Sequence, residues 1–193
     1  MSLNLYLIRH GQTEWSLSGQ HTGRTDLPLT RDGEIQARQL AKMLGRIDFT
    51  EILTSPLQRA RRSCELSGLA QRARIEADLT EWNYGDFEGL TSDEIETRHP
   101  HWNLFHDGAP RGESPIEISE RADQLILRLK ALSGNVALFS HGHFISSLAM
   151  RWINLQVENA QHFELSTSSI SILSFATHHP VIAVISQWNS VVS

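Results

Sequence analysis

Two short segments place a histidine and a glycine directly after an apolar run. Residues 5–8 (LYLI) are followed by Arg9-His10-Gly11, and residues 136–140 (VALFS) are followed by His141-Gly142. Runs of this length and composition predict buried strands. In an open α/β sheet, ligands bind in the crevice beyond the carboxyl ends of the strands. If the two strands are parallel neighbours, both imidazoles emerge at one edge, where the glycines leave room for a ligand to approach the backbone.

A second cation follows a third strand. The segment Ser55-Pro56-Leu57-Gln58 has the pattern of a capping box with proline at the first helical position, so Arg59 is predicted in the first turn of a helix. Helix N-termini attract anions, and arginine offers fixed donors to phosphate oxygens. Together, Arg9, His10, Arg59 and His141 predict a phosphate-binding pocket.

Metal binding is an alternative use of these histidines, since the chain has ten of them. His141 and His143 are spaced i, i+2 across a predicted strand-to-helix turn, and no HExxH motif or cysteine pair accompanies them. We therefore expect no metal site and no cofactor. A purely structural role is the other alternative for any one histidine taken alone.

Composition limits the class of protein. The 193 residues fit a single domain spanning 1–193, with 40% hydrophobic and 20% charged residues, as in soluble globular proteins. A net charge of -5 gives no support to nucleic-acid binding. No apolar run approaches the ~20 residues that span a bilayer. No signal-peptide pattern precedes the first strand and Cys64 is the single cysteine, so we expect a cytoplasmic protein.

Hydrophobic periodicity predicts alternating strands and helices. Helices are expected over 31–45 after an N-cap at Thr30, from capping boxes at 55–58, 91–94 and 114–117, and after 143. Further strands are expected at 51–54 and 74–77, with a closing hairpin of 169–175 and 181–186. Segments 16–30, 81–89 and 99–113 are predicted as loops or irregular structure. This order indicates an α/β protein with a mainly parallel sheet flanked by helices.

Five blocks of the sequence resemble one known family. They are LIRHGQTEW at 7–15, TSPLQRAR at 54–61, LTEWNYGDFEG at 79–89, GES at 112–114 and SHGH at 140–143. In this order they resemble the histidine phosphatase superfamily, whose phosphoglycerate mutase-like fold is a three-layer α/β sandwich. The resemblance covers nearly the whole chain.

The resemblance implies a role for each residue of the predicted pocket. His10 would be the nucleophile that becomes a phosphohistidine, while Arg9, Arg59 and His141 would clamp the phosphoryl oxygens. Glu81 would donate a proton to the leaving oxygen and later act as base for water. The physical chemistry agrees, because cationic Arg9 and Arg59 disfavour protonation of His10. Glu81 must be protonated to donate, so a raised pKa is expected there.

Finer features resemble particular branches of the family. The chain lacks the extra segment of the mutases, and GDFEG at 85–89 resembles the phosphatase branch. The segment 16–30, containing GQHTG, and the segment 173–180 are similar to sedoheptulose-1,7-bisphosphatase members. That similarity implies a substrate side lined by Ser16, Gln20, His21, Thr22, Gly23, Tyr84, Gly142, His143 and His178. Loop structure and capping are the alternative role of these residues.

The leading hypothesis is a metal-independent phosphatase that hydrolyses small phosphomonoesters, with sugar phosphates or sugar bisphosphates favoured. Its partner would be a small phosphorylated metabolite, with no nucleic acid and no membrane; whether the chain forms a homo-oligomer is left open. One alternative is mutase-type phosphoryl transfer, which a bisphosphate primer would stimulate. Another is a phospho-ligand binding module without turnover, which would not need the acid Glu81.

Overall fold

The computed structural model describes residues 2–191 of the chain. Its six strands are β1 (Asn4–Arg9), β2 (Phe49–Thr54), β3 (Ala73–Ile75), β4 (Asn135–Ser140), β5 (Ile170–Ala176) and β6 (His179–Ser190). They form one sheet in the order β3-β2-β4-β1-β5-β6. The first four strands are parallel, β5 runs antiparallel to β1, and β6 pairs antiparallel with β5.

Helices cover both faces of the sheet. They are α1 (Glu14–Ser18), α2 (Arg31–Leu44), α3 (Gln58–Leu66), α4 (Ser92–Arg98), α5 (Leu104–Asp107), α6 (Pro115–Leu129) and α7 (Gly142–Trp152). Because side chains alternate along a strand, Leu5 and Leu7 of β1 pack with α6 and α7, whereas Ile8 packs with α2 and α3. Two apolar clusters therefore lie on opposite faces. This confirms the predicted three-layer α/β fold.

The central pair β1 and β4 has the arrangement that the sequence suggested. The strands are parallel neighbours, with Arg9 opposite Ser140, and the amide of His10 donates to the carbonyl of Ser140 at 3.0 Å. His10 and His141 thus leave the sheet at the same level of one edge. The premise of the phosphate-pocket prediction is confirmed.

The predicted capping boxes have different outcomes. Those at Thr91 and Ser114 form as expected and begin α4 and α6. The box at Ser55 is wrong, since α3 begins at Gln58 after an N-cap that makes no side-chain hydrogen bond. The Ser55 hydroxyl instead lies 2.8 Å from His141 Nε2, and the Gln58 amide donates to Asp26 Oδ1 at 2.8 Å. Burial beside a polar imidazole outweighed the local capping pattern.

Two short helices lie where loops were predicted. Helix α1 overlaps the start of the predicted loop 16–30, and α5 lies inside the predicted irregular segment 99–113. Helices of four or five residues complete little more than one turn, so they carry no detectable apolar periodicity. No helix within residues 2–191 is long and apolar enough to cross a bilayer.

Close backbone packing sets the position of the turn after β1. A Cβ added at Gly33, in the first turn of α2, would lie 2.1 Å from the Gln12 carbonyl oxygen. A Cβ added at Gly11 would lie 2.4 Å from the Gly33 carbonyl oxygen. The two glycines therefore allow α2 to lie directly against the segment that carries His10.

Candidate active site

A cavity of about 430 Å³ opens at the carboxyl ends of β1 and β4. Its floor includes Arg9, His10 and Glu81, and α7 contributes Gly142 and His143. One wall is formed by the loop after α1 together with Tyr84. A second wall comes from Ala160, Gln161, residues 163–166 and Asn189.

His10 is buried in the floor with one protonation state favoured. Its Nδ1 lies 2.7 Å from the Gly11 carbonyl oxygen. A carbonyl only accepts, so Nδ1 carries the proton and Nε2 keeps its lone pair. Burial, followed by the nearby Arg59 and Arg9 charges, holds the pKa of His10 well below its ordinary value. His10 is therefore a neutral imidazole whose Nε2 is free to act as a nucleophile.

Ser63 on α3 supports this turn. The Gly11 amide donates to Ser63 Oγ at 3.0 Å, and the Ser63 hydroxyl donates to the Arg59 carbonyl at 2.8 Å. The Gly11 peptide that holds His10 is thus itself held by α3. Sequence reasoning missed Ser63, because a serine inside a helix carries no sign of a tertiary partner.

Arg59 and His141 lie beside His10, and both are completely buried. Arg59 Nε donates to His141 Nδ1 at 3.1 Å, and its other nitrogens donate to the carbonyls of residues 22, 23 and 25, each at 2.9 Å. The rings of His10 and His141 are 5.1 Å apart. Neither Arg59 nor His141 lines the cavity.

The clamping of phosphoryl oxygens by Arg59 and His141 stays a prediction, since the structure places both residues outside the cavity lining. Four hydrogen bonds to the protein occupy the Arg59 guanidinium, which has five N–H donors. Burial lowers the pKa of His141 well below its ordinary value, followed in size by the effect of Arg59. In this arrangement the pair acts on His10 through charge and packing.

Arg9 is the cation that reaches the cavity. Its guanidinium donates one hydrogen bond to the Leu165 carbonyl, and its buried Nε has no hydrogen-bond partner among residues 2–191. A Cβ added at Gly142 would lie 3.3 Å from Arg9 Cζ, so the glycine makes room for the guanidinium. A buried, incompletely paired arginine donor is suited to binding an anion.

Glu81 sits on the N-terminus of α7. Its Oε1 accepts from the amides of Trp82 and Phe144, both at 2.8 Å, and its Oε2 accepts from the His143 amide at 3.1 Å. These bonds replace the side-chain cap that His141 does not make. Burial nevertheless outweighs them and raises the pKa of Glu81 above its ordinary value. The carboxyl is therefore suited to holding and donating a proton.

The wall beside Glu81 is built from rings. The Tyr84 hydroxyl is hydrogen-bonded to His143 Nδ1, and the His21 ring lies 4.8 Å from the Tyr84 ring. Burial is the main reason that the pKa of His21 and that of His143 are each lowered to about 4. Both imidazoles are neutral at neutral pH, and the tyrosine pKa is raised, again mainly by burial.

Most of the predicted substrate-side residues line the cavity. Ser16, Gln20, His21, Thr22, Tyr84, Gly142 and His143 do so. Ser16 also closes the capping box of α1 with Thr13, and Gln20 Nε2 donates to the Gly89 carbonyl at 2.7 Å, so these two combine both expected roles. Gly23 does not line the cavity; its carbonyl accepts from Arg59.

The expectation that His178 lines the substrate side is corrected by the structure, which places His178 at the end of the sheet away from His10. Strand β5 starts beside the end of β1, with Ile170 opposite Ile8, and runs back past Leu173 opposite Leu5. The turn between β5 and β6, which contains His178, therefore lies near the start of β1. An antiparallel strand delivers its end to the edge away from His10.

The second wall was not foreseen from the sequence. It contains Gln161, Phe163, Glu164, Leu165, Ser166 and Asn189. These residues lie in or directly after a 3-10 helix at 157–162, or at the end of β6, and no motif marks them. Within residues 2–191, no group of three or more His, Cys, Asp or Glu side chains is placed to hold a metal ion.

Comparison with known proteins gives consistent results. The sequence model of the histidine phosphatase superfamily (branch 1) matches residues 5–187. An acid phosphatase from Mycobacterium tuberculosis is 37% identical over 175 residues, which cover 89% of this chain and 86% of that protein. Sedoheptulose 1,7-bisphosphatase from Saccharomyces cerevisiae is 38% identical over 184 residues, covering 79% of this chain and 68% of that protein.

A solved structure has a similar fold. It is that of an open reading frame from Mycobacterium tuberculosis, with a TM-score of 0.89 and 34% identity, and the match covers 98% of this chain and 100% of that one.

Proposed function

The chain belongs to the histidine phosphatase superfamily, and from that premise we propose that it hydrolyses small phosphomonoesters, sugar phosphates in particular, through a phosphohistidine on His10 without a metal ion. The relatives named acid phosphatase and sedoheptulose bisphosphatase support this class of enzyme. The geometry of the cavity supports the following roles for its residues.

In the first step, His10 Nε2 attacks phosphorus in line with the ester oxygen. The P–N bond forms as the P–O bond to the alcohol breaks, and Glu81 transfers its proton to the departing oxygen. Arg9 neutralises charge on the non-bridging oxygens, which is the main demand of phosphoryl transfer. The products are the free alcohol, phosphohistidine and ionised Glu81.

In the second step, water attacks phosphorus from the side that the alcohol has left. Glu81 takes a proton from that water, the new P–O bond forms and the P–N bond breaks. His10 returns to its neutral form, held by Gly11, and inorganic phosphate leaves. The two displacements leave the enzyme unchanged.

The observation that carries the proposal is the pairing of His10 and Glu81 in one cavity with opposite pKa shifts. A nucleophilic imidazole must be unprotonated while the acid remains protonated, and burial drives each group toward the required form. A module that only binds phosphate would have no use for a buried acid beside a neutral imidazole.

The direct test is phosphate release from a panel of sugar phosphates in the presence of EDTA, together with trapping of the phosphoenzyme. His10→Ala should abolish both turnover and labelling. His178→Ala is the matched control, because His178 lies at the far edge of the sheet, and it should retain full activity. An active His10→Ala enzyme, or activity lost in EDTA and restored by a metal, would contradict the proposal.

A further inference from the structure

Charge is unevenly distributed in the cavity. Among the described residues that line it, Arg9 is the one arginine or lysine, and it lies at the phosphate end beside His10. The rest of the lining holds two carboxyl groups, those of Glu81 and Glu164. The space left for the alcohol part of the substrate therefore has no permanent cation within residues 2–191.

The ring wall is equally uncharged. His21 and His143 each have a pKa lowered to about 4, so they are neutral at neutral pH. The Tyr84 hydroxyl is hydrogen-bonded to His143 Nδ1, and a neutral imidazole carries one N–H donor and one acceptor nitrogen. Such a wall offers ring faces and a neutral N–H donor, which suit the C–H and O–H groups of a polyhydroxy compound.

Glu164 lies in the second wall, at an exposed position. Its backbone carbonyl accepts from Trp188 Nε1 at 2.9 Å, and the next residue, Leu165, accepts from Arg9. These bonds fix the main chain directly after the Glu164 side chain. Its carboxylate thus belongs to the same wall segment that anchors the phosphate-binding arginine.

Building on the proposed function, we propose that Glu164 and the neutral ring wall select phosphomonoesters with uncharged, hydroxyl-bearing leaving groups and disfavour bisphosphates and other anionic leaving groups. A second phosphate would meet neutral rings on one side and a carboxylate on the other. Neutral sugars and polyols would meet only hydrogen-bonding and ring surfaces.

Coulomb's law gives the expected scale. For a dianionic phosphate roughly 10 Å from one carboxylate in a water-like medium, removing that carboxylate changes binding by about fourfold. Glu164 also acts on the anionic phosphoryl group of every substrate, but that part of the effect is common to both members of a substrate pair. The additional effect on the anionic leaving group should therefore appear as a change in preference within each pair.

Two matched substrate pairs test the proposal. Glycerol 3-phosphate and 3-phosphoglycerate have leaving groups of similar size that differ by one carboxylate, and fructose 6-phosphate and fructose 1,6-bisphosphate differ by one phosphate. For the unsubstituted enzyme, kcat/KM should be higher for the uncharged member of each pair. Equal or higher kcat/KM for the anionic members would overturn the proposal.

Variants of Glu164 provide the second readout. Relative to the uncharged member of each pair, Glu164→Gln should raise kcat/KM about fourfold for fructose 1,6-bisphosphate and about twofold for 3-phosphoglycerate; Glu164→Lys should extend the shift. Glu120→Lys, an exposed α6 residue outside the cavity lining, makes the same change in net charge and should leave the preference unaltered. An equal effect of both lysine variants, or no shift in preference, would contradict the role of Glu164.

This outcome is separable from that of the proposed function. If none of the phosphomonoesters is hydrolysed, the phosphatase proposal itself fails. If they are hydrolysed with a preference for anionic leaving groups, only the inference about Glu164 fails.

Discussion

The position of His10 depends on a chain of contacts that extends beyond the cavity. His10 is held by the Gly11 carbonyl, the Gly11 amide by Ser63 Oγ, and Ser63 by the Arg59 carbonyl. His10 and Arg59 could be predicted from local motifs. Ser63 could not, because its role depends on α3 lying against the turn after β1.

We predict that Ser63→Ala lowers kcat by 10- to 100-fold while changing KM little. The substitution leaves the Gly11 amide buried without an acceptor, and a small displacement of His10 is costly for in-line attack. Steady-state kinetics and phosphoenzyme formation rates would measure the effect. Ser63→Thr keeps the hydroxyl and should restore most of kcat; failure of that rescue would argue against a positioning role.

Glu81 predicts the pH dependence of turnover. Its pKa is raised, so it stays protonated at pH values where an ordinary carboxyl is ionised, and activity should fall as pH rises through that raised value. His10, with its lowered pKa, stays neutral at pH values well below 6.5. Loss of activity through protonation of His10 should therefore occur only at a pH well below 6.5. The expected optimum is acidic, and the pH profile of kcat/KM measures it.

The matched variant for this prediction is Glu81→Gln. It should slow hydrolysis of alkyl phosphates on the order of 100-fold or more and remove the alkaline limb. Hydrolysis of p-nitrophenyl phosphate should suffer much less, because its leaving group needs no proton. An unchanged alkaline limb in Glu81→Gln would assign that limb to another group.

At the scale of elements, the position of α2 controls the turn that carries His10. The helix and its N-cap at Thr30 could be read from periodicity and capping. The close approach of Gly33 to Gln12 could not, because glycine in the first turn of a helix has no local justification. Its reason is the neighbouring backbone.

We therefore expect Gly33→Ala to destabilise the protein, although alanine is the better helix former by about 1 kcal/mol. The new Cβ would lie 2.1 Å from a backbone oxygen that cannot rotate away, and overpacking of this kind costs about 2 kcal/mol or more. Denaturant unfolding would measure the loss, and activity should fall with it. Lys42→Ala, at an exposed position of the same helix, is the control and should be nearly neutral.

For the whole molecule, the buried histidines make stability depend on pH. His10, His21, His141 and His143 have pKa values lowered in the folded state, to about 4 for His21 and His143. Below their ordinary value near 6.5, the unfolded chain binds protons that the folded chain excludes, so stability falls as pH falls. The raised pKa of Glu81 acts in the opposite direction, but it is one group against four.

We predict that the free energy of unfolding is lower at pH 5 than at pH 7. Each buried histidine contributes up to about 1.4 kcal/mol per pH unit in this window. Urea unfolding at the two pH values measures the difference. His143→Gln should reduce it, whereas His178→Ala, at an exposed position, should not; equal stability at both pH values would contradict the prediction.

The sequence by itself determined the layered fold and the phosphatase family, and the resemblance to that family predicts His10 and Glu81 as the chemical centre. These features rest on local patterns: apolar strands that end in reactive residues, capping boxes and ordered motifs. Only the tertiary structure decided which side chains reach the cavity. Arg59 and His141 lie beside His10 but outside the cavity lining, and Glu164 lies in the second wall. His178 lies at the end of the sheet away from His10. The physical reason is that the apolar pattern of a strand does not reveal whether the strand runs parallel or antiparallel to its neighbour. A sequence motif likewise does not reveal which groups will accept the hydrogen bonds of its side chains.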